Sequence, residues 1–165
     1  MIINGTALLL AAPIKNMLTR KERGPLTSYG LSEAGYDIRL KQDVDFRVSD
    51  DPRIGPRTRV NDWDRPGNFV IASAIEEFDM PDNLIGIVHD KSTWARQGLS
   101  VFNTVIESGW KGFLTLELVY HGRSPLFIPA GTGIAQVIFH KTAERASYEG
   151  KYQNQADEPV GAING

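Results

Sequence analysis

Five short runs from Phe69 onward constrain the fold most. FVIASAI, LIGIVHD, LSVFNTVI, GFLTLELVY and LFIPAGTGIAQVIFH are rich in β-branched and aromatic residues, and Gly, Pro, Asp or Ser bounds each one. An earlier stretch, AGYDIRL (Ala34–Leu40), alternates and reads as another strand. Many short strands with regular turn signals build a sandwich or a barrel. No repeat of fixed period interrupts that reading. The expected class is therefore mainly β.

The remaining segments read as connections. Residues 5–20 are expected to form a short amphipathic helix ended by the Lys/Arg-rich TRKERGP, with Pro13 breaking it or starting a turn. Asp50–Asn68, DDPRIGPRTRVNDWDRPGN, is polar and holds three prolines and two glycines. That predicts a surface loop or an irregular hairpin, with a plain loop preferred to a lid. Lys141–Gly165 is polar and rich in Gly, Asn and Gln, the composition of a mobile tail. A length of 165 residues suits one domain, residues 1–165, with 141–165 as that tail.

Composition excludes several functions. The hydrophobic fraction of 41% and charged fraction of 23% are those of a soluble globular protein. A net charge of −2 gives no basic face, so no nucleic-acid partner is expected, although a small anion needs only a few local cations. The chain has no cysteine, which removes disulfides and thiolate metal sites and fits a reducing compartment. TALLLAA (Thr6–Ala12) is too short to span a bilayer, and no basic segment precedes it. Neither a membrane partner nor a signal peptide is expected, and the protein reads as cytoplasmic.

Few residues suit a metal. His89, His121 and His140 lack the close spacing that zinc enzymes use, and no cysteine can complete a set. The zinc site of nucleobase deaminases cannot be built here. HDKSTWARQGL packs Lys91, Ser92, Thr93 and Arg96 closely. One helical turn would put Ser92 and Arg96 on the same side, where hydroxyls, N–H groups and cations suit phosphate oxygens. A capped helix with a solvated face has the same pattern. In the tight turn ESGWKG, Trp110 offers a flat face either to a sugar or to the core. Glu107, taken alone, reads as a surface acid.

GFLTLELVY poses a sharper question. Leu114, Leu116 and Leu118 alternate with Thr115, Glu117 and Val119, so an acid occupies the face opposite the leucines. Three explanations stand side by side. The face lies in water, or Glu117 pairs with Arg96 or Lys111, or it is an acid–base whose pKa is raised by partial burial.

Taken in order, the segments resemble the dCTP deaminase family within the trimeric dUTPase-like superfamily. AGYDIRL is similar to that family's early G-Y-D-[LIV]-R-L strand, and KSTWARQGL to its [KR]-S-[ST]-x-[AG]-R-x-G segment. ESGWKGFLTLEL, GTGIAQVIF and YEGKYQNQ resemble its G-W-x-G turn with following strand, its late glutamine strand and its C-terminal Y-x-G-K-Y-Q-x-Q. The matches run from about Ala34 to Gln155.

The resemblance implies a distorted jelly-roll, or β-clip, fold and a homotrimer with active sites at subunit interfaces. It also implies zinc-free hydrolytic deamination of dCTP, with Mg2+ carried on the triphosphate. Glu117 would be the general acid/base, Ser92 would bond the water or the base edge, and Arg96 would orient Glu117. The backbone near Thr104 and Val105 would hold the water. Lys91, Thr93, Lys151 and Gln155 match positions near the phosphates, with Tyr148 and Gln136 matching more loosely, so the resemblance implies that the tail, residues 141–165, covers a bound nucleotide and is mobile without one. Glu107 and Trp110 face the deoxyribose in relatives, and Thr115 and Leu116 meet the base there through backbone. Two departures stand out: the stretch between Arg96 and Trp110 is short, and Glu107 replaces an Asp common in relatives. In dUTPases and bifunctional relatives an Asp at that turn activates the water that attacks the α-phosphate. The alternatives are thus a dUTPase, a bifunctional deaminase–diphosphatase giving dUMP, or a nucleotide-binding module without catalysis.

Overall fold

The computed structural model describes residues 1–48, 56–102 and 104–164. Strand β1 (Ile2–Ile3) and helix α1 (Gly5–Ala11) lead into β2 (Lys21–Glu22), β3 (Tyr29–Leu31), β4 (Tyr36–Arg39) and β5 (Val44–Arg47). Next come β6 (Arg57–Val60), β7 (Trp63–Pro66), β8 (Phe69–Asp79) and β9 (Leu84–Asp90). A single helical turn, α2 (Ser92–Ala95), precedes β10 (Leu99–Val101), β11 (Val105–Ile106), β12 (Lys111–Tyr120), β13 (Leu126–Ile128) and β14 (Gly133–Lys141). All five runs that set the expected class lie on strands, and AGYDIRL contains β4. The expected helical turn over KSTWARQGL is α2.

The strands form three sheets. The largest runs β11-β9-β14-β4-β3-β2, with β1 also on β14; β10-β12-β8 and β13-β5-β6-β7 are the others. Their inner faces share one core that includes Ile38, Phe46, Ala72, Val88, Leu116, Leu118 and Phe139. Burial of these apolar side chains is the main force holding the sheets face to face. The architecture is mainly β and jelly-roll-like, with a short N-terminal helix, as expected. Among the described residues no helix is long and apolar enough to cross a membrane.

Two segments differ from their sequence readings. The helix expected over 5–20 ends after seven residues. Ala12 turns left-handed at φ 47°, and Pro13 has no N–H with which to continue the ladder. Beyond it the chain joins β8, where Lys15 N–H donates to the Glu77 carbonyl at 2.9 Å. The Asp50–Asn68 stretch is an irregular hairpin over its described part. There β6 pairs antiparallel with β7, and Asn61 at φ 47° makes the reversal. The front of that stretch, up to Gly55, lies outside the described residues.

An ion pair ties two sheets together. Glu76 on β8 accepts from the Arg39 N–H and from Arg39 Nε, both at 2.8 Å. The Arg39 guanidinium also lies 4.4 Å from the Tyr29 ring centre. Desolvation pushes the Glu76 pKa up, and its bonds to Arg39 oppose that.

The strand that carries the acid is less regular than its letters suggest. β12 pairs Phe113 with Glu77 but Thr115 with Ser73, so β8 holds extra residues opposite Leu114. Such a bulge bends a strand and re-aims its side chains. Leu116 and Leu118 enter the core as expected. Leu114 is buried in the same core and also borders a cavity beside Thr115 and Glu117.

Candidate active site

A cavity of about 470 Å³ opens between the β8–β12 sheet, the turn over residues 104–110 and the C-terminal tail. Thr104, Glu107, Trp110, Thr115, Glu117, Tyr148 and Gln155 all border it. Seven of the residues expected at a nucleotide site thus converge, although they come from segments well separated in sequence.

Glu117 stands half-buried on the cavity face of β12, opposite Ile71 of β8. Neither expected salt bridge forms. Lys111 pairs with Asp79 at 2.9 Å, while Arg96 is exposed at the end of α2. Desolvation raises the Glu117 pKa above 4.5, countered only by its own backbone N–H. Among the described residues Glu117 has no ion-pair partner, and its partial removal from water favours the protonated form more than in a surface acid.

Trp110 packs on the core and also reaches the cavity wall. It is 6% exposed, with its ring centre 6.0 Å from that of Phe78, and it also borders the cavity. Its indole N–H donates to the Tyr152 carbonyl at 2.6 Å. The tail that composition marks as mobile is therefore seated on the turn. Tyr148 N–H donates to the Ser108 carbonyl at 2.8 Å, and the Gln155 carbonyl accepts from Phe113 N–H at 3.2 Å. Farther on, Val160 N–H donates to Thr115 Oγ1 at 3.0 Å.

Two glycines make this seating possible. Gly109 (φ 74°) and Gly112 (φ 129°) occupy left-handed backbone, and a Cβ at Gly112 would stand 2.5 Å from Gln155 N. The glycines of GWKG thus let the tail lie directly against the start of β12.

Seven expected site residues do not border this cavity. Ser92, Thr93 and Arg96 are exposed on α2. Lys91 pairs with Asp37, and Gln136 donates to Asp37 at 3.2 Å and to Ser32 at 2.8 Å. Leu116 is a core residue that pairs with Ala72. Lys151 is exposed, donates to the Ile163 carbonyl and lies 5.5 Å from the Tyr152 ring centre.

The structure adds residues that the sequence reading passed over. Phe69 and Ile71 of β8 and Arg65 of β7 border the cavity, as do Tyr152 and Val160 of the tail. The register Glu117↔Ile71 and Val119↔Phe69 explains the β8 pair, since cross-strand partners share a face. Nothing local marked Arg65 or Val160. Among the described residues no group of three His, Cys, Asp or Glu side chains could hold a metal.

Residues 9–142 match a family model described as dCTP deaminase-like. The chain is 38% identical over 158 residues to a protein named dCTP deaminase from Roseiflexus castenholzii, covering 86% of each. It is 37% identical over 149 residues to another of that name from Herpetosiphon aurantiacus, covering 81% of each. Among solved structures it is similar to native EIAV dUTPase, with a TM-score of 0.52 and 21% identity over 92% of this chain and 97% of that one. It is also similar to the 2'-deoxycytidine 5'-triphosphate deaminase of Agrobacterium tumefaciens, with a TM-score of 0.52 and 18% identity over 84% of this chain and 47% of that one. At such identities the structural likeness concerns the fold.

Proposed function

The chain belongs to the dCTP deaminase-like family, and from that premise we propose that it hydrolyses dCTP to dUTP and ammonia. The observation that carries the reading is Glu117, a desolvated carboxyl group without an ion-pair partner among the described residues, on the wall of a cavity that also presents Trp110 and Thr115.

The reaction needs one group that takes a proton from water and delivers it to the ring. In the proposed mechanism the Glu117 carboxylate removes a proton from a water that attacks C4 of cytosine. The carboxyl group then protonates N3, giving a tetrahedral intermediate. Collapse forms the C4 carbonyl, and the hydroxyl proton passes through Glu117 to the departing amine. A raised pKa suits both halves of this exchange. Trp110 offers its flat face to the deoxyribose. Mg2+ would arrive on the triphosphate and screen its charge.

Ser92 and Arg96 remain to be supplied. Both are exposed on α2 and outside this cavity. Apolar side chains stand exposed beside the cavity: Phe69 and Val105 of its wall are exposed, and Phe102, 53% exposed, has its ring centre 6.3 Å from that of Phe69. We therefore place the active sites between copies of a homotrimer, with Ser92 and Arg96 of one copy completing the cavity of another. The absence of cysteine suits a cytoplasmic location.

Incubation with dCTP and magnesium tests the reading, with ammonia, pyrophosphate and nucleotides assayed together. Ammonia equal to dUTP is expected. Production of dUMP from dUTP without any ammonia from dCTP would overturn it. One observation keeps a second reading in view, because Glu107 borders the same cavity. If Glu107 activates a water towards the α-phosphate, the products are ammonia, dUMP and pyrophosphate.

A further inference from the structure

Past Gln155 the described chain, residues 156–164, forms neither helix nor strand. A few bonds hold it instead. Lys41 pairs with Asp157 and donates to its carbonyl at 3.1 Å. Ile163 N–H donates to the Tyr152 hydroxyl at 3.1 Å, and Lys151 donates to the Ile163 carbonyl. Between those anchors Val160, Gly161 and Ala162 border the cavity.

This middle part has one bond to the sheet. Val160 N–H donates to Thr115 Oγ1 at 3.0 Å, and among the described residues no other hydrogen bond joins residues 156–164 to β12. Thr115 is only 7% exposed. Its branched Cβ restricts the rotamer, so the strand fixes where the acceptor stands. Thr115 and Glu117 are alternate residues on one face of β12, about 7 Å apart. The hydroxyl that holds Val160 is therefore the acid's near neighbour. Residues 160–162 wall the cavity that Glu117 also borders. Were they lifted, that side would open to water, and the desolvation of the acid would fall.

We propose that Thr115 is a positioning residue for the tail: its hydroxyl, by accepting from Val160 N–H, seats residues 160–162 as a wall of the catalytic cavity. This rests on the deamination reading and goes beyond it, since the family resemblance gives the base only the Thr115 backbone and leaves the hydroxyl without a role.

The test uses Thr115→Val, which keeps the branched shape and removes the acceptor, and Val160→Pro, which removes the donor. Their combination and Thr115→Ser, which restores a hydroxyl, complete the set. Thermal melting of each full-length variant first confirms the fold. Hydrogen exchange of the tail amides and the pH profile of dCTP turnover are then measured. One lost hydrogen bond corresponds to about twofold to tenfold in an equilibrium. Thr115→Val should speed exchange over residues 161–164 by about that factor and lower kcat/KM by a similar one. The acid limb of its profile should move down towards the ordinary carboxylate range. Val160→Pro should match it, the combination should be no worse than either variant alone, and Thr115→Ser should recover most of both losses. If Thr115→Val lowers kcat/KM just as much in the Val160→Pro background, the hydroxyl touches the nucleotide directly and the proposal is overturned. Unchanged exchange, or faster exchange with unchanged kcat/KM, would overturn it too. If the parent binds dCTP but releases no ammonia, the deamination reading fails, and tail exchange together with dCTP binding in the same variants decides whether Thr115 seats the tail.

Discussion

The acid-bearing strand and the hydroxyl-bearing turn are built in opposite ways. β12 is a ten-residue strand with neighbours on both sides, and it carries Glu117 on a face backed by core leucines. α2 is one turn on the surface, held by Trp94 and Lys91 and showing its polar side chains to solvent. A proton-transfer group gains from a rigid, partly dry support, because desolvation there shifts its pKa. Groups that meet the nucleotide from another copy must stand outside their own fold. The contrast teaches that, on this reading, each copy presents half of two different sites.

The largest expected effect breaks the first region. Glu117→Gln should lose about 10²–10⁴ in turnover while retaining dCTP binding. Near-normal ammonia release would remove the acid–base role. Arg96→Ala should lose about tenfold or more, the scale of a charge-assisted contact. Because Arg96 is exposed, the melting temperature of dissociated chains should not change. Mixing sharpens the contrast. Glu117→Gln and Arg96→Ala, unfolded and refolded together, should recover part of the activity that each lacks alone. No recovery above the two separate preparations would mean that both halves act within one copy.

A smaller effect appears in pH dependence. The folded pKa of Glu117 lies above the ordinary 4.5, so the folded state holds this proton more tightly than the unfolded state does. The stabilisation is present at low pH and is lost as pH rises from the ordinary carboxylate range through the raised pKa. Melting temperatures of Glu117→Gln, relative to the parent, should therefore climb between about pH 4 and pH 7. A flat difference would mean that Glu117 is hydrated like a surface acid. The acid limb of kcat/KM should likewise be displaced upward from 4.5. The smallest effect belongs to Lys111→Ala, which removes an exposed pair with Asp79. Stability should move by less than about 0.5 kcal/mol, with unchanged turnover.

The strands were legible because β-branched alternation and turn residues are local signals. So was the placement of Glu117 on the face opposite Leu116 and Leu118. The sequence did not reveal which face of β8 met that acid, because register is a long-range property. Leu114 joined the core as the alternation implies, but the letters did not show that it also borders the cavity, beside a register shift whose extra residues lie on the partner strand. Composition marked the tail as mobile, yet its backbone bonds to the turn hold it. Those bonds depend on Gly109 and Gly112, whose letters were read as a turn and not as a docking surface. Lys91 looked free among small polar neighbours because its partner, Asp37, is remote in sequence.

The seating of the tail also has an optical consequence. The chain contains three tryptophans. Trp63 is 80% exposed on the β6–β7 hairpin, and Trp94 is locked in the core by its bond to Gly133. Among the described residues only Trp110 has its indole N–H bonded to the tail, at the Tyr152 carbonyl. Lifting the tail would strip that bond and admit water to one indole while leaving the other two unchanged. A red shift confined to one emitter would then time the opening and closing of the cavity, without any label.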